Sequence, residues 1–82
     1  MTAQELDDII YYDGQYRAMR KLCLERKLVS IEELALMNTL DVCKVIANHF
    51  EILGVRDSGQ TIILVEKDKW DEVMKSVVPL YR

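Results

Sequence analysis

Five of the chain's basic side chains fall in one stretch: Arg17, Arg20, Lys21, Arg26 and Lys27. Grouped guanidinium and ammonium ions are suited to phosphate, because each one neutralises a backbone charge and releases its counterions. On a helix, Arg17, Arg20 and Lys21 share a face through their three- and four-residue spacing. The same side chains serve equally as the solvated face that a surface helix needs. Acidic residues gather elsewhere, at Glu5, Asp7, Asp8 and Asp13 and at Glu32 and Glu33, and the net charge is −3. A basic strip on an acidic chain holds nucleic acid weakly unless two copies act together.

Other chemistry is sparse. Cys23 and Cys43 both fall on the apolar side of expected helices and read as reduced core cysteines, with a redox switch between them as the alternative. His49 is the only histidine. With no paired-cysteine motif beside it, no metal site is expected. No acid or serine stands at triad spacing from it. The Asp7-Asp8 and Glu32-Glu33 pairs suit the positive end of a helix dipole better than general acid–base work. The glycines at 14, 54 and 59 are scattered and form no phosphate-binding loop. No enzyme, catalytic residue or cofactor is therefore expected.

The elements that must position these groups are mostly helical. Thr2-Ala-Gln-Glu5 forms a capping box, opening a short helix to Ile10 or Tyr11 that Asp13-Gly14 interrupts. A second helix is expected from about Gln15 to Lys27, burying Tyr12, Tyr16, Met19 and Cys23, with Leu22 flanking. Leu28-Val29 reads as a short first strand. Ser30-Ile-Glu-Glu33 is a second capping box, and its helix is expected to bury Ile31, Leu34 and Ala35 before ending near Met37. Asn38-Thr39 supplies the turn and the next cap. The following helix buries Cys43, Ile46, Ala47, Phe50 and Leu53 and stops at Gly54 as a left-handed C-terminal residue. Val55-Arg56 and Thr61 to Val65 read as two strands joined by Asp57-Ser58-Gly59-Gln60, with Gly59 able to take positive φ. Asp68 is expected to cap a last amphipathic helix, about 69–78, with Trp70, Val73, Met74, Val77 and Val78 on one stripe and Pro79 at its end.

Glu33-Leu34-Ala35, then Cys43, Ile46-Ala47, Phe50-Glu51 and Leu53-Gly54-Val55, resembles winged helix-turn-helix domains of prokaryotic, archaeal and viral regulators. The resemblance spans about 16–65 and implies an α+β, mostly helical fold: a three-helix core with a C-terminal β-hairpin wing, flanked by an N-terminal and a C-terminal helix. The whole chain, 1–82, is expected to be one such domain. By position, the resemblance places Thr39, Asp41, Lys44, Val45 and Asn48 toward the major groove of duplex DNA. It places Arg56, Ser58 and Gln60 in the wing near the sugar-phosphate backbone. Arg17 and Lys21 are the further phosphate candidates.

Asn48 suits adenine, Lys44 guanine or phosphate, and Val45 a thymine methyl, whereas Asp41 repels phosphate unless it meets a cytosine amine. Projection at about 100° per residue centres the exposed face on Asp41, Val45, Asn48 and Ile52. The expected function is a small DNA-binding transcriptional regulator, reading DNA with helix 39–53 and wing 55–65. It would act as a homodimer joined through Trp70, Val73, Met74 and Val77, whose alternative role is packing on the chain's own core. The alternative function is a winged helix used for protein–protein interaction, favoured by the acidic balance and by Val45 and Ile52 facing outward. No apolar run approaches the roughly 18–20 residues that span a bilayer, so no membrane association is expected. The N-terminal residues lack the basic start of a secretory signal, and an intracellular, cytoplasmic location is expected.

Overall fold

The computed structural model describes residues 1–77. The chain divides into two compact units, Met1–Asn48 and the residues from His49 onward. The fold is α+β: helices come first and a two-stranded antiparallel hairpin follows them.

The first unit holds α1 (Ala3–Ile9), α2 (Asp13–Glu25), α3 (Ile31–Leu36) and α4 (Thr39–His49), whose final residue opens the second unit. Helix α1 starts as expected. The Thr2 hydroxyl accepts from the Glu5 amide at 3.1 Å, and the Glu5 carboxylate accepts from the Thr2 amide at 3.2 Å. Helix α3 starts the same way, with Ser30 and Glu33 exchanging two bonds of 3.1 Å. Each box satisfies amide donors that the first helical turn leaves without partners.

Helix α2 departs from expectation at both ends. Asp13 and Gly14 form its first turn instead of interrupting the chain, and the helix ends at Glu25. Its close is a Schellman motif: the Leu28 amide donates to the Cys23 carbonyl at 2.9 Å and the Lys27 amide to the Leu24 carbonyl at 3.1 Å. Lys27 occupies the left-handed position with φ 55°, where glycine is the usual residue. That reversal consumes the backbone that a strand at Leu28-Val29 needs, and the expected first strand is absent among the described residues.

The buried set of this unit is Leu6, Ile10, Met19, Cys23, Leu34, Val42, Cys43, Ile46 and Ala47, joined by one polar residue, Gln15. The Gln15 carboxamide oxygen accepts the Tyr11 amide at 3.0 Å, so its burial satisfies the turn between α1 and α2. Three expected core residues lie outside. Tyr12 stacks edge-on against Tyr11 at 5.2 Å and is exposed, as are Ile31 and Ala35, leaving Leu34 the only buried residue of α3.

The second unit contains β1 (Phe50–Arg56), β2 (Thr61–Glu66), a 3-10 turn (Lys67–Lys69) and α5 (Trp70–Val77). Here the expected boundary fails most clearly. The chain leaves the helix at His49, not Gly54, and Phe50 to Leu53 belong to β1. The run Phe50, Leu53 satisfies a helical period, but β2 is six residues long, and two partners at Val55-Arg56 would leave most of its backbone groups unpaired. Pairing instead extends from Arg56↔Thr61 to Phe50↔Glu66.

The register shifts between Ile52 and Gly54, so Leu53 is the extra residue of a bulge and is exposed. Gly54 is thus a bulge residue, not a left-handed cap. The hairpin turn contains a short 3-10 segment, Asp57–Gly59, with φ of 56°, 57° and 93° at Asp57, Ser58 and Gly59. The Thr61 hydroxyl bonds the Asp57 carboxylate across it at 2.8 Å.

Asp68 sits inside the 3-10 turn that runs into α5 rather than preceding the helix as its cap. Helix α5 lies against β2. Of the expected stripe, the Val77 side chain and Val78 lie outside the described residues, as does Pro79. Among the described residues no helix is long and apolar enough to cross a membrane.

Candidate functional site

The candidate surface is built on α3, its two-residue connection Met37-Asn38, and α4. Helix α4 begins with a capping box that uses aspartate in place of the usual glutamate. The Asn38 carboxamide oxygen accepts from the Asp41 amide at 2.8 Å, and an Asp41 carboxylate oxygen accepts from the Asn38 amide at 3.2 Å. The negative carboxylate also lies at the positive end of the α4 dipole. Asp41 therefore does structural work at the helix start, its carboxylate held by the Asn38 amide. The signal was present in the sequence, since Asn38 and Asp41 stand three residues apart just before an apolar helix.

Thr39, the first residue of α4, is exposed and lies near α2. The Tyr16 hydroxyl donates to the Asp7 carboxylate, and Thr39 stands close to the same phenol. One tyrosine of α2 thereby ties its helix to α1. Burial pushes the Tyr16 phenol up to about 12, helped by the bond to Asp7 and by its charge, while Thr39 opposes the shift. Cys43, one turn along α4, is pushed up to about 11, first by burial and then by the Asp7 carboxylate. Burial also raises Cys23, with the nearby Arg20 charge working against it. Both cysteines are free, fully buried thiols. Raised thiols of this kind hold little of the nucleophilic thiolate.

Exposed on α4 are Thr39, Lys44, Asn48 and His49, with Val45 half-buried. Lys44 and Asn48 are one helical turn apart, both exposed, and neither side chain bonds another described residue. Ile52, expected beside them, is half-buried in β1 instead.

The basic strip of α2 is largely balanced within its own helix. Arg17 pairs with Asp13 at 2.7 Å and Lys21 with Glu25 at 3.8 Å. Such exposed pairs contribute about 0.3–0.5 kcal/mol each, and the acid-first order of Asp13 and Arg17 is the better one. Both cations thus meet a solvent-side carboxylate before any phosphate arrives.

In the second unit Arg56 and Ser58 are exposed at the hairpin turn, with Gln60 following. Glu51 and Lys67 approach to 3.9 Å across the strand ends. Trp70, Val73 and Met74 are half-buried on α5. Among the described residues no three His, Cys, Asp or Glu side chains come together as metal ligands. No protein-family model, curated protein or solved structure matches the chain.

Proposed function

We propose that this protein is a winged helix-turn-helix DNA-binding regulator whose α4 enters the major groove, with Lys44 and Asn48 making the decisive contacts. The observation that carries this reading is the pair itself: two exposed side chains, uncommitted among the described residues, one turn apart on the helix after a two-residue turn. The caps at Ser30 and Asn38 support it, because they fix both helix starts and hold that face in place before a ligand arrives. An asparagine carboxamide matches the adenine edge, and an ammonium reaches guanine or phosphate. Arg56, in the hairpin, is a separate cation for the backbone. Pairing of two copies through Trp70, Val73, Met74 and Val77 would double the contacts that one thinly charged module offers.

The competing reading is a winged helix serving protein–protein interaction. Its specific support is the neutralisation of Arg17 and Lys21 by Asp13 and Glu25 on an already acidic chain.

The test is fluorescence anisotropy on duplex DNA across a salt series, with solution mass measured alongside. On a selected site, the double variant Lys44→Ala, Asn48→Ala is expected to lose about tenfold or more in affinity, and Lys44→Ala alone to reduce the salt slope by about one. Arg17→Ala is expected to change little, since its charge is already paired. Absence of binding at low salt, or a double variant that binds as well as the parent, would refute the groove assignment. In that event Val45→Asp, assayed for loss of a protein partner, becomes the informative variant.

A further inference from the structure

Helix α3 is an unusual surface helix. It buries only Leu34, yet leaves Ile31 68% and Leu36 89% exposed. At about 100° per residue, Glu32 and Leu36 share the centre of the outward arc, with Ile31 and Ala35 along one side. All four are exposed. Glu32 makes no ion pair or side-chain hydrogen bond to another described residue, and Glu33, next to it, adds a second carboxylate. The face is rigid despite its shallow anchoring, because capping boxes stand at its own start and immediately after its end.

We propose that this face docks a cationic amphipathic segment of another protein, with aliphatic side chains covering Ile31 and Leu36 and a lysine or arginine reaching Glu32. The charge decides the occupant. Two adjacent carboxylates repel nucleic-acid phosphate, and a second copy docking face to face would set the same carboxylates against each other without a counter-ion. Leu36 follows Glu32 by four residues, about 6 Å along the helix axis, so the aliphatic anchor and the carboxylate are neighbours on one face. A preformed, exposed aliphatic pair flanking a charge is the arrangement from which interface anchors are made. The proposal is independent of DNA binding by α4, which involves neither Ile31, Glu32 nor Leu36.

The probe is a fluorescent amphipathic peptide of leucine and lysine, compared with the same peptide carrying glutamate for lysine, titrated with the full chain at physiological salt. The parent is expected to bind the lysine peptide and not the glutamate peptide. Leu36→Ser should weaken binding about tenfold or more. Glu32→Lys should weaken it comparably and confer affinity for the glutamate peptide. Glu72→Lys alters net charge by the same amount on α5 and should stay within about twofold of the parent. Circular dichroism of each variant checks that the fold persists, as expected for exposed positions.

Equal losses from Glu72→Lys and Glu32→Lys would reduce the binding to overall charge and overturn the proposal. So would failure of the parent to bind the lysine peptide at all. A Leu36→Ser variant that turned a dimer into a monomer would assign the face to a second copy and overturn it likewise.

Discussion

The helical unit and the hairpin unit set their boundaries by different physics. Three of the four helices in the first begin at reciprocal side-chain caps closed within three residues: Thr2 with Glu5, Ser30 with Glu33, and Asn38 with Asp41. In the second, β1 begins and β2 ends where Phe50 and Glu66 pair, sixteen residues apart in the sequence. Burial divides them too. The fully buried Leu6, Val42, Cys23, Cys43 and Ile46 all belong to the helical unit, whereas every residue of β2 is half-exposed. Local code thus governs the first unit and long-range pairing the second.

The largest difference should appear on truncation. Ile46→Ala removes most of a side chain with no exposure and is expected to cost about 3 kcal/mol, against about 1 kcal/mol for Leu64→Ala in β2. Urea denaturation of both variants measures it, and equal losses would abolish the contrast. Caps come next. Asn38→Ala should cost about 1 kcal/mol, while Asp68→Ala should fall within about 0.5 kcal/mol, because Asp68 lies within a turn and caps nothing. A large Asp68→Ala effect would restore a capping role in the second unit.

Left-handed backbone positions sharpen the comparison further. Gly59→Ala should cost about 1 kcal/mol at φ 93°, and Lys27→Gly should gain about 0.5–1 kcal/mol at φ 55°. Gly54→Ala should cost nothing in space, since a Cβ there meets no atom within 4 Å. Thermal melts would rank the three, and a Gly54→Ala loss as large as that at Gly59 would contradict the bulge assignment.

The smallest effect is nil at neutral pH. Tyr16 is raised from 10.0 to about 12 and Cys43 from 9.0 to about 11, so the folded state holds both protons more tightly than the unfolded chain. Their stabilisation is complete below pH about 9 and is lost as pH rises through about 11 and 12. Stability measured against pH should therefore decline on the alkaline side, and Tyr16→Phe should make that decline shallower. An unchanged alkaline limb in Tyr16→Phe would remove the phenol from this account.

Much of the helical unit was legible from residue order. The caps at Thr2 and Ser30, the buried Met19, Cys23, Leu34, Cys43, Ile46 and Ala47, and the outward Lys44 and Asn48 all stand as expected. Projection on a helix treats every outward side chain as free, and so gave no sign that the Asp41 carboxylate is held by an amide three residues back. Tyr12 and Ile31 matched an apolar period but stayed exposed, since period gives a face and not the presence of something to cover it. Gln15 carried no signal of burial, because the backbone amide it serves belongs to the preceding turn, which no apolar period marks.

What the sequence determined by itself, then, is where helices start. A cap and the amides it serves lie within one turn, and their bond forms whichever way the rest of the chain folds. Gly59 in the hairpin turn belongs to the same class, its conformation being a property of a residue without a side chain. Only the tertiary structure decided where α4 gives way to β1, that Leu53 bulges, and that Leu28-Val29 forms no strand. Phe50 to Leu53 satisfy a helix and a strand about equally, and the choice fell to the backbone groups of Ile62 to Glu66, which need partners that only distant residues supply.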